Sequence, residues 1–192
     1  MQKFMLDNIL SLVENQDYEN ASFQIINRIE AKDADYIDDL VMNLNILTER
    51  ATELVKLILP SLLLILDSSD DMIRYSLIAS LQKFVAVNEW ALYQYIDPYL
   101  KADSAKKREG MLYLLKYIAD SESELLIPFI DTLISLVNDP EPFIRNKAME
   151  FLIVIGKKDP DQMEIQLTQL SQNSDDAIFK QNLDLVRKEL IH

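Results

Sequence analysis

The chain contains no cysteine. Disulfides, zinc–thiolate sites and thiol catalysis are therefore excluded. Its one histidine is His192, the last residue. Without cysteine or an internal histidine the common nucleophile–base pairs cannot form, and only Asp/Glu pairs are left for acid–base work. Glycine is scarce, with 2 in 192 residues. That argues against a turn-rich β protein, rules out a glycine-rich phosphate loop and favours helices joined by short polar loops. Long hydrophobic runs are missing too. The longest, Leu57 to Leu66, is interrupted by Pro60 and Ser61. It falls well short of the ~20 apolar residues that span a bilayer. The start, Met1-Gln2-Lys3-Phe4-Met5-Leu6-Asp7, meets a charge before any apolar signal core develops. The expectation is a cytoplasmic, non-enzymatic protein without metal, cofactor or membrane partner.

Acidic residues, by contrast, are abundant, and the formal net charge is −13. There are 7 basic and 16 acidic residues before residue 100, and 12 and 16 after it. Such a surface repels phosphate backbones unless a basic stripe overrides it. Nucleic acid is a disfavoured partner, and a protein or peptide of basic or mixed charge is the expected one. Solubility alone also accounts for the charge.

One spacing organises the chain. Arg74, Arg108, Arg145 and Lys180 follow one another at intervals of 34, 37 and 35 residues, and Asp38 holds the slot 36 residues before Arg74. After each of these positions apolar residues recur three, six or seven, and ten places on: Leu77, Leu81 and Phe84; Met111, Leu114, Leu115 and Ile118; Ala148, Phe151, Leu152 and Ile155. That is the period of an amphipathic helix, and its recurrence means stacked copies of one helical unit. Start signals mark a helix ahead of each of these. They are Asp17, Thr48, Asn88, the capping box Ser121-Glu122-Ser123-Glu124, and Asp159-Pro160-Asp161-Gln162. Polar turns separate the partners, as in Asp67-Ser68-Ser69-Asp70-Asp71 and Asn138-Asp139-Pro140-Glu141-Pro142. Pro60, Pro98 and Pro128 each fall within a first helix, where they bend or restart it.

The stretch from Ile127-Pro128 through Asp139-Pro140 to Ile144-Arg145, followed by Ala148, Leu152 and Gly156, resembles a HEAT repeat, of the broad HEAT and armadillo helical-repeat kind. The resemblance implies an all-α, right-handed α-α superhelix (a solenoid) of about five helix pairs plus one leading helix. The single repeat domain spans residues 1–192, with a leading helix at 3–15 and repeats at about 17–47, 48–87, 88–119, 121–157 and 159–191. It also implies a binding scaffold. In such arrays the ladder residues Arg74, Arg108, Arg145 and Lys180, with Asp139, tie the turn of one repeat to the next.

Counting from the ladder residue, positions +1, +5 and +9 point away from the apolar stripe, on what is commonly the concave side. They carry Tyr75, Tyr113 and Tyr117, with Lys83, Lys116, Glu109, Asn146 and Glu150 beside them. Tyrosine offers a rigid amphipathic contact, so this face is the candidate site for a peptide or a protein helix. Partial burial of these tyrosines between repeats is the alternative reading. Lys101, Lys106, Lys107 and Arg108 form the one dense basic cluster. With Lys83 and Lys116 they support a second hypothesis, a nucleic-acid-binding or DNA-repair protein of this kind. The acidic runs at 33–39 and 67–71 lack the glycine and distal glutamate of a calcium loop and read as caps and turns. The leading helix, with Phe4, Met5, Leu6, Ile9, Leu10, Leu12 and Val13, either covers the first repeat or self-associates.

Overall fold

The computed structural model describes residues 7–191, which form eleven α-helices, three short 3-10 segments and no strand. The chain divides into two compact units, Met1–Ala91 and Leu92–His192. The first holds α1 (Asp7–Glu14), α2 (Tyr18–Glu30), α3 (Ala34–Arg50), α4 (Thr52–Leu64) and α5 (Asp71–Val85). The second holds α6 (Tyr93–Leu100), α7 (Ala105–Glu122), α8 (Ile130–Leu136), α9 (Pro142–Gly156), α10 (Pro160–Asn173) and α11 (Ala177–Ile191). The leading helix is described only from Asp7; Phe4, Met5 and Leu6 lie outside the described residues, as does His192. Within α1, Ile9 and Val13 are buried, and the helix packs on α2.

Short polar side chains start these helices by accepting bonds from otherwise unpaired first-turn N–H groups, each worth about 1 kcal/mol. Asp17 accepts from Asn20, Asp33 from Tyr36, Asp70 from Met72 and Ile73, Ser104 from Lys107, and Asp159 from Gln162. Three expected starts differ. Thr48 lies inside α3, where its hydroxyl donates to the Leu44 carbonyl, and α4 begins after Ala51 without a side-chain cap. Asn88 closes α5 instead, its amide donating to the Phe84 carbonyl. The expected capping box at Ser121 opens no helix: α7 runs through Glu122, and Ser123–Phe129 is a 3-10 segment. Pro128 contributes to this, although α4 and α6 continue through Pro60 and Pro98. Pro128 lacks an N–H, and its ring clashes with the carbonyl four residues back; α-helix resumes only at Ile130.

In the first unit α2 packs beside α4 and α3 beside α5; in the second α6 packs beside α8, while α7, α9 and α11 form a row. Each unit is therefore a set of repeated helix pairs. Polar links recur at the repeat distance. The Thr132 hydroxyl donates to Asp97, and the Gln166 amide donates to Asp131, both across 35 residues.

Burial fixes how each second helix is turned. Leu77, Leu81 and Phe84 in α5, Met111, Leu115 and Ile118 in α7, and Ala148, Leu152 and Ile155 in α9 occupy +3, +7 and +10 and are buried. Leu183 and Leu190 do the same in α11. In α3 the matching residues are Leu40, Leu44 and Leu47, which stand 37 residues before Leu77, Leu81 and Phe84. The ladder slot of the first copy is thus Ile37, and Asp38 sits one place further on, on the exposed face. A one-residue slip would turn the helix by about 100° and carry that carboxylate toward the core.

Candidate functional site: the exposed face of the second helices

The ladder residues act first on their own turns. Arg108 Nη1 donates to the carbonyls of Ala102 and Asp103, six and five residues back. Arg145 Nη1 donates to those of Asp139 and Pro140, again six and five back. In both copies the guanidinium satisfies two carbonyls of the turn that leads into its own helix. Arg108 also reaches the next repeat. Its Nε lies 2.7 Å from Asp139 Oδ2 and its Nη2 3.1 Å from Oδ1, and both side chains are buried. Asp139 Oδ1 further accepts the Glu141 N–H. This bidentate bond needs a carboxylate six residues before the next ladder position. Ser174 holds that place before Lys180, and Arg145 is correspondingly half-exposed. Arg74, which is buried, pairs with Asp71 at 3.2 Å and lies over the Tyr75 ring at 4.3 Å. Lys180 is half-buried on α11.

Positions +1, +5 and +9 face outward. In the second unit they are Glu109, Tyr113 and Tyr117 on α7, Asn146, Glu150 and Val154 on α9, and Gln181, Leu185 and Glu189 on α11. Tyr117 is 41% exposed. Tyr113 is half-buried, its ring stacked on Phe143 of α9 at 5.0 Å. Lys116 is exposed beside them, and Glu150 pairs with Lys147 on its own helix. In the first unit the same positions on α5 carry Tyr75, Ala79 and Lys83, all exposed. Each unit therefore presents its own part of the predicted surface.

Sequence reasoning misses several residues of this face. With Ile37 in the ladder slot, α3 contributes Asp38, Met42 and Ile46, all exposed. Aligning on the apolar stripe Leu40–Leu44–Leu47 rather than on the charged slot finds them. Val154 and Leu185 hold outward positions of α9 and α11, which carry no aromatic residue at +1, +5 or +9.

The other candidates are drawn into local structure. Arg108, the centre of the basic cluster, is held by Asp139 and two carbonyls, and Lys101 pairs with Asp97. In the acidic runs, Asp33 and Asp70 cap helices. The Arg28 hydrogen bond, then the Tyr36 N–H, hold the Asp33 carboxyl below its usual range. Among the described residues no group of His, Asp or Glu side chains is placed to hold a metal ion. Nor is any helix among them long and apolar enough to cross a membrane.

No protein-family model matches the chain, and no curated protein does. Solved structures with a similar course of helices include engineered proteins. One is a designed armadillo repeat protein in complex with the peptide (KR)4: 13% identity, 95% of this chain and 85% of that one, TM-score 0.49. Another is a computationally designed armadillo repeat protein for modular peptide recognition: 12% identity, 93% and 86%, TM-score 0.48. A third is described only as an engineered protein: 15% identity, 96% and 97%, TM-score 0.45. The architecture is that of an all-helical repeat protein. What this chain engages has to come from its own side chains.

Proposed function

We propose that the chain is a non-enzymatic interaction scaffold that binds a peptide or a protein helix on the exposed face of its second helices. One observation carries this reading. Each described second helix buries its apolar residues at +3 and +10 and turns +1, +5 and +9 away from them, and those positions hold exposed Tyr75, Tyr117, Val154 and Leu185 and half-buried Tyr113. Tyr113 stacks on Phe143 and Arg74 lies over Tyr75, while Val154 and Leu185 are exposed apolar side chains that suit a binding surface. Lys83, Glu109, Lys116, Asn146 and Glu150 supply a polar rim. The Tyr113–Phe143 stack fixes a ring in advance, so less side-chain freedom is lost on binding. A net charge of −13 favours a basic or mixed partner and faster association at low salt. A cytoplasmic setting and a structural role for the arginine ladder belong to the same reading.

The nucleic-acid reading is weaker, since Arg108 is buried against Asp139 and the second unit carries 12 basic against 17 acidic residues. Affinity capture from native lysate with mass spectrometry tests the proposal. The wild-type chain is expected to hold one stoichiometric protein that the Tyr113→Ala/Tyr117→Ala variant loses. Equal recovery by both, or recovery of nucleic acid, contradicts it.

A further inference from the structure

Two parallel, neighbouring helices of the first unit, α3 and α5, bear an apolar centre that the fold leaves uncovered. Met42 is 64% exposed, Met72 77%, Tyr75 42% and Ile46 37%. Met42, Ile46 and Tyr75 hold outward positions of these two packed helices, and Met72 lies one turn before Tyr75; on the 37-residue register Met72 and Tyr75 correspond to Asp35 and Asp38, and Met42 and Ile46 to Ala79 and Lys83. Mostly exposed methionines on adjacent helices contribute little to the core. Their flexible thioethers suit a surface that must mould itself to an apolar partner.

Charge surrounds this centre asymmetrically. Asp35 and Asp38 lie at one end of the α3 face and Glu49 at the other, about 21 Å apart along the helix at 1.5 Å per residue. None of the three has an ion-pair partner among the described residues, whereas Asp33 and Glu53 do. Lys83 is the one cation among the outward positions of the two helices. The unit as a whole has 7 basic and 15 acidic residues. Arg74 lies over the Tyr75 ring and holds it in place.

We infer that this α3/α5 face docks a cationic amphipathic helix of another protein, its apolar stripe on Met42, Ile46, Met72 and Tyr75 and its Lys/Arg side chains at both ends on Asp35, Asp38 and Glu49. The inference rests on the scaffold reading and names both the site and the partner chemistry. Two parallel helices offer a shallow groove, and an amphipathic helix fills one with anchors at i, i+3/i+4 and i+7. Carboxylates without intramolecular partners draw in a basic helix and reject an acidic one.

The test is a fluorescence-anisotropy titration of the full chain with a labelled amphipathic Leu/Lys peptide of about 18 residues. A Leu/Glu peptide with the same stripe serves as the acidic control. The Leu/Lys peptide is expected to bind and the Leu/Glu peptide is not. Met42→Ala with Met72→Ala should weaken binding by about tenfold or more at every salt concentration. Asp35→Asn, Asp38→Asn and Glu49→Gln together should weaken it at about 0.05 M salt and flatten its salt dependence. Ile165→Ala, exposed on α10 of the other unit and outside the second-helix face, should change little. Equal binding of both peptides, no binding of the cationic one, or binding indifferent to the α3/α5 variants overturns the inference. If binding falls only with Tyr117→Ala plus Leu185→Ala, on the second-helix face of the other unit, this site is wrong and the wider scaffold reading stands.

Discussion

Replacing Asp139 by alanine removes the carboxylate that two donors of Arg108 share, at 2.7 and 3.1 Å. Arg108 is 9% exposed and Asp139 7%, so water cannot readily take the lost partner's place. Breaking such a pair from one side leaves a buried charge uncompensated and costs about 3–5 kcal/mol. Two carbonyl bonds remain to Arg108 Nη1, which places the expected loss nearer about 3 kcal/mol. Asp139→Asn keeps an acceptor for the Glu141 N–H but gives up the charge and one Arg108 bond, and should cost about 1.5–3 kcal/mol. Arg108→Met with Asp139→Leu removes both charges and should recover much of the loss. Urea unfolding read by circular dichroism gives these differences, and the double variant gives the coupling, expected at about 1–3 kcal/mol. For a unit of this size the alanine variant should melt about 12 °C or more below wild type. An Asp139→Ala loss under about 1 kcal/mol, the range of an exposed pair, would refute the reasoning.

Further expectations concern pH and space. Hydrogen bonds from Lys101 and then Thr132 hold the Asp97 carboxyl below its usual range, so its contribution is present above the unfolded pKa near 3.9 and fades as pH falls through the lower folded value. Asp97→Asn should therefore be less stable than wild type near neutrality and equal to it in strong acid; an undiminished gap across the acid limb of the urea–pH curve contradicts this. Burial pushes the Tyr36 phenol up to about 12, so stability is lost as pH rises from about 10 through that value. The Tyr36 hydroxyl has no partner among the described residues. Tyr36→Phe should be neutral or stabilising at pH 7 and should remove that alkaline loss, which urea midpoints at the two pH values would show. A Cβ at Gly156 would come within 2.7 Å of Leu190 Cδ2 and 2.9 Å of Met163 Cγ. Gly156→Val should cost about 1–3 kcal/mol by crowding α10 and α11, and an unchanged melting temperature would contradict it.

The repeat was legible because two signals agree on it: the basic slot at Arg74, Arg108, Arg145 and Lys180, and the apolar stripe that follows each. They part company in the first copy. The run Asp33-Ala34-Asp35-Tyr36-Ile37-Asp38-Asp39 offers several polar residues for one slot, and only burial of Leu40, Leu44 and Leu47 selects Ile37. That slip hid Met42 and Ile46. Caps were legible where Asp opened the first turn, as at Asp17 and Asp159. Ser121 misled because α7 runs on through Glu122, and a proline seven residues on contributes to the 3-10 segment that follows. The bond between Arg108 and Asp139 spans 31 residues and depends on how neighbouring turns stack, which spacing alone does not give.

The claim that the second helices form a binding face is tested most directly by photo-crosslinking. A benzophenone side chain replaces Tyr117 on that face in one variant and Lys56, exposed on the first helix α4, in another. After irradiation in native lysate, the face position is expected to yield a discrete adduct with one protein and the α4 position none. Equal adducts from both positions, or an adduct from Lys56 alone, would contradict the account.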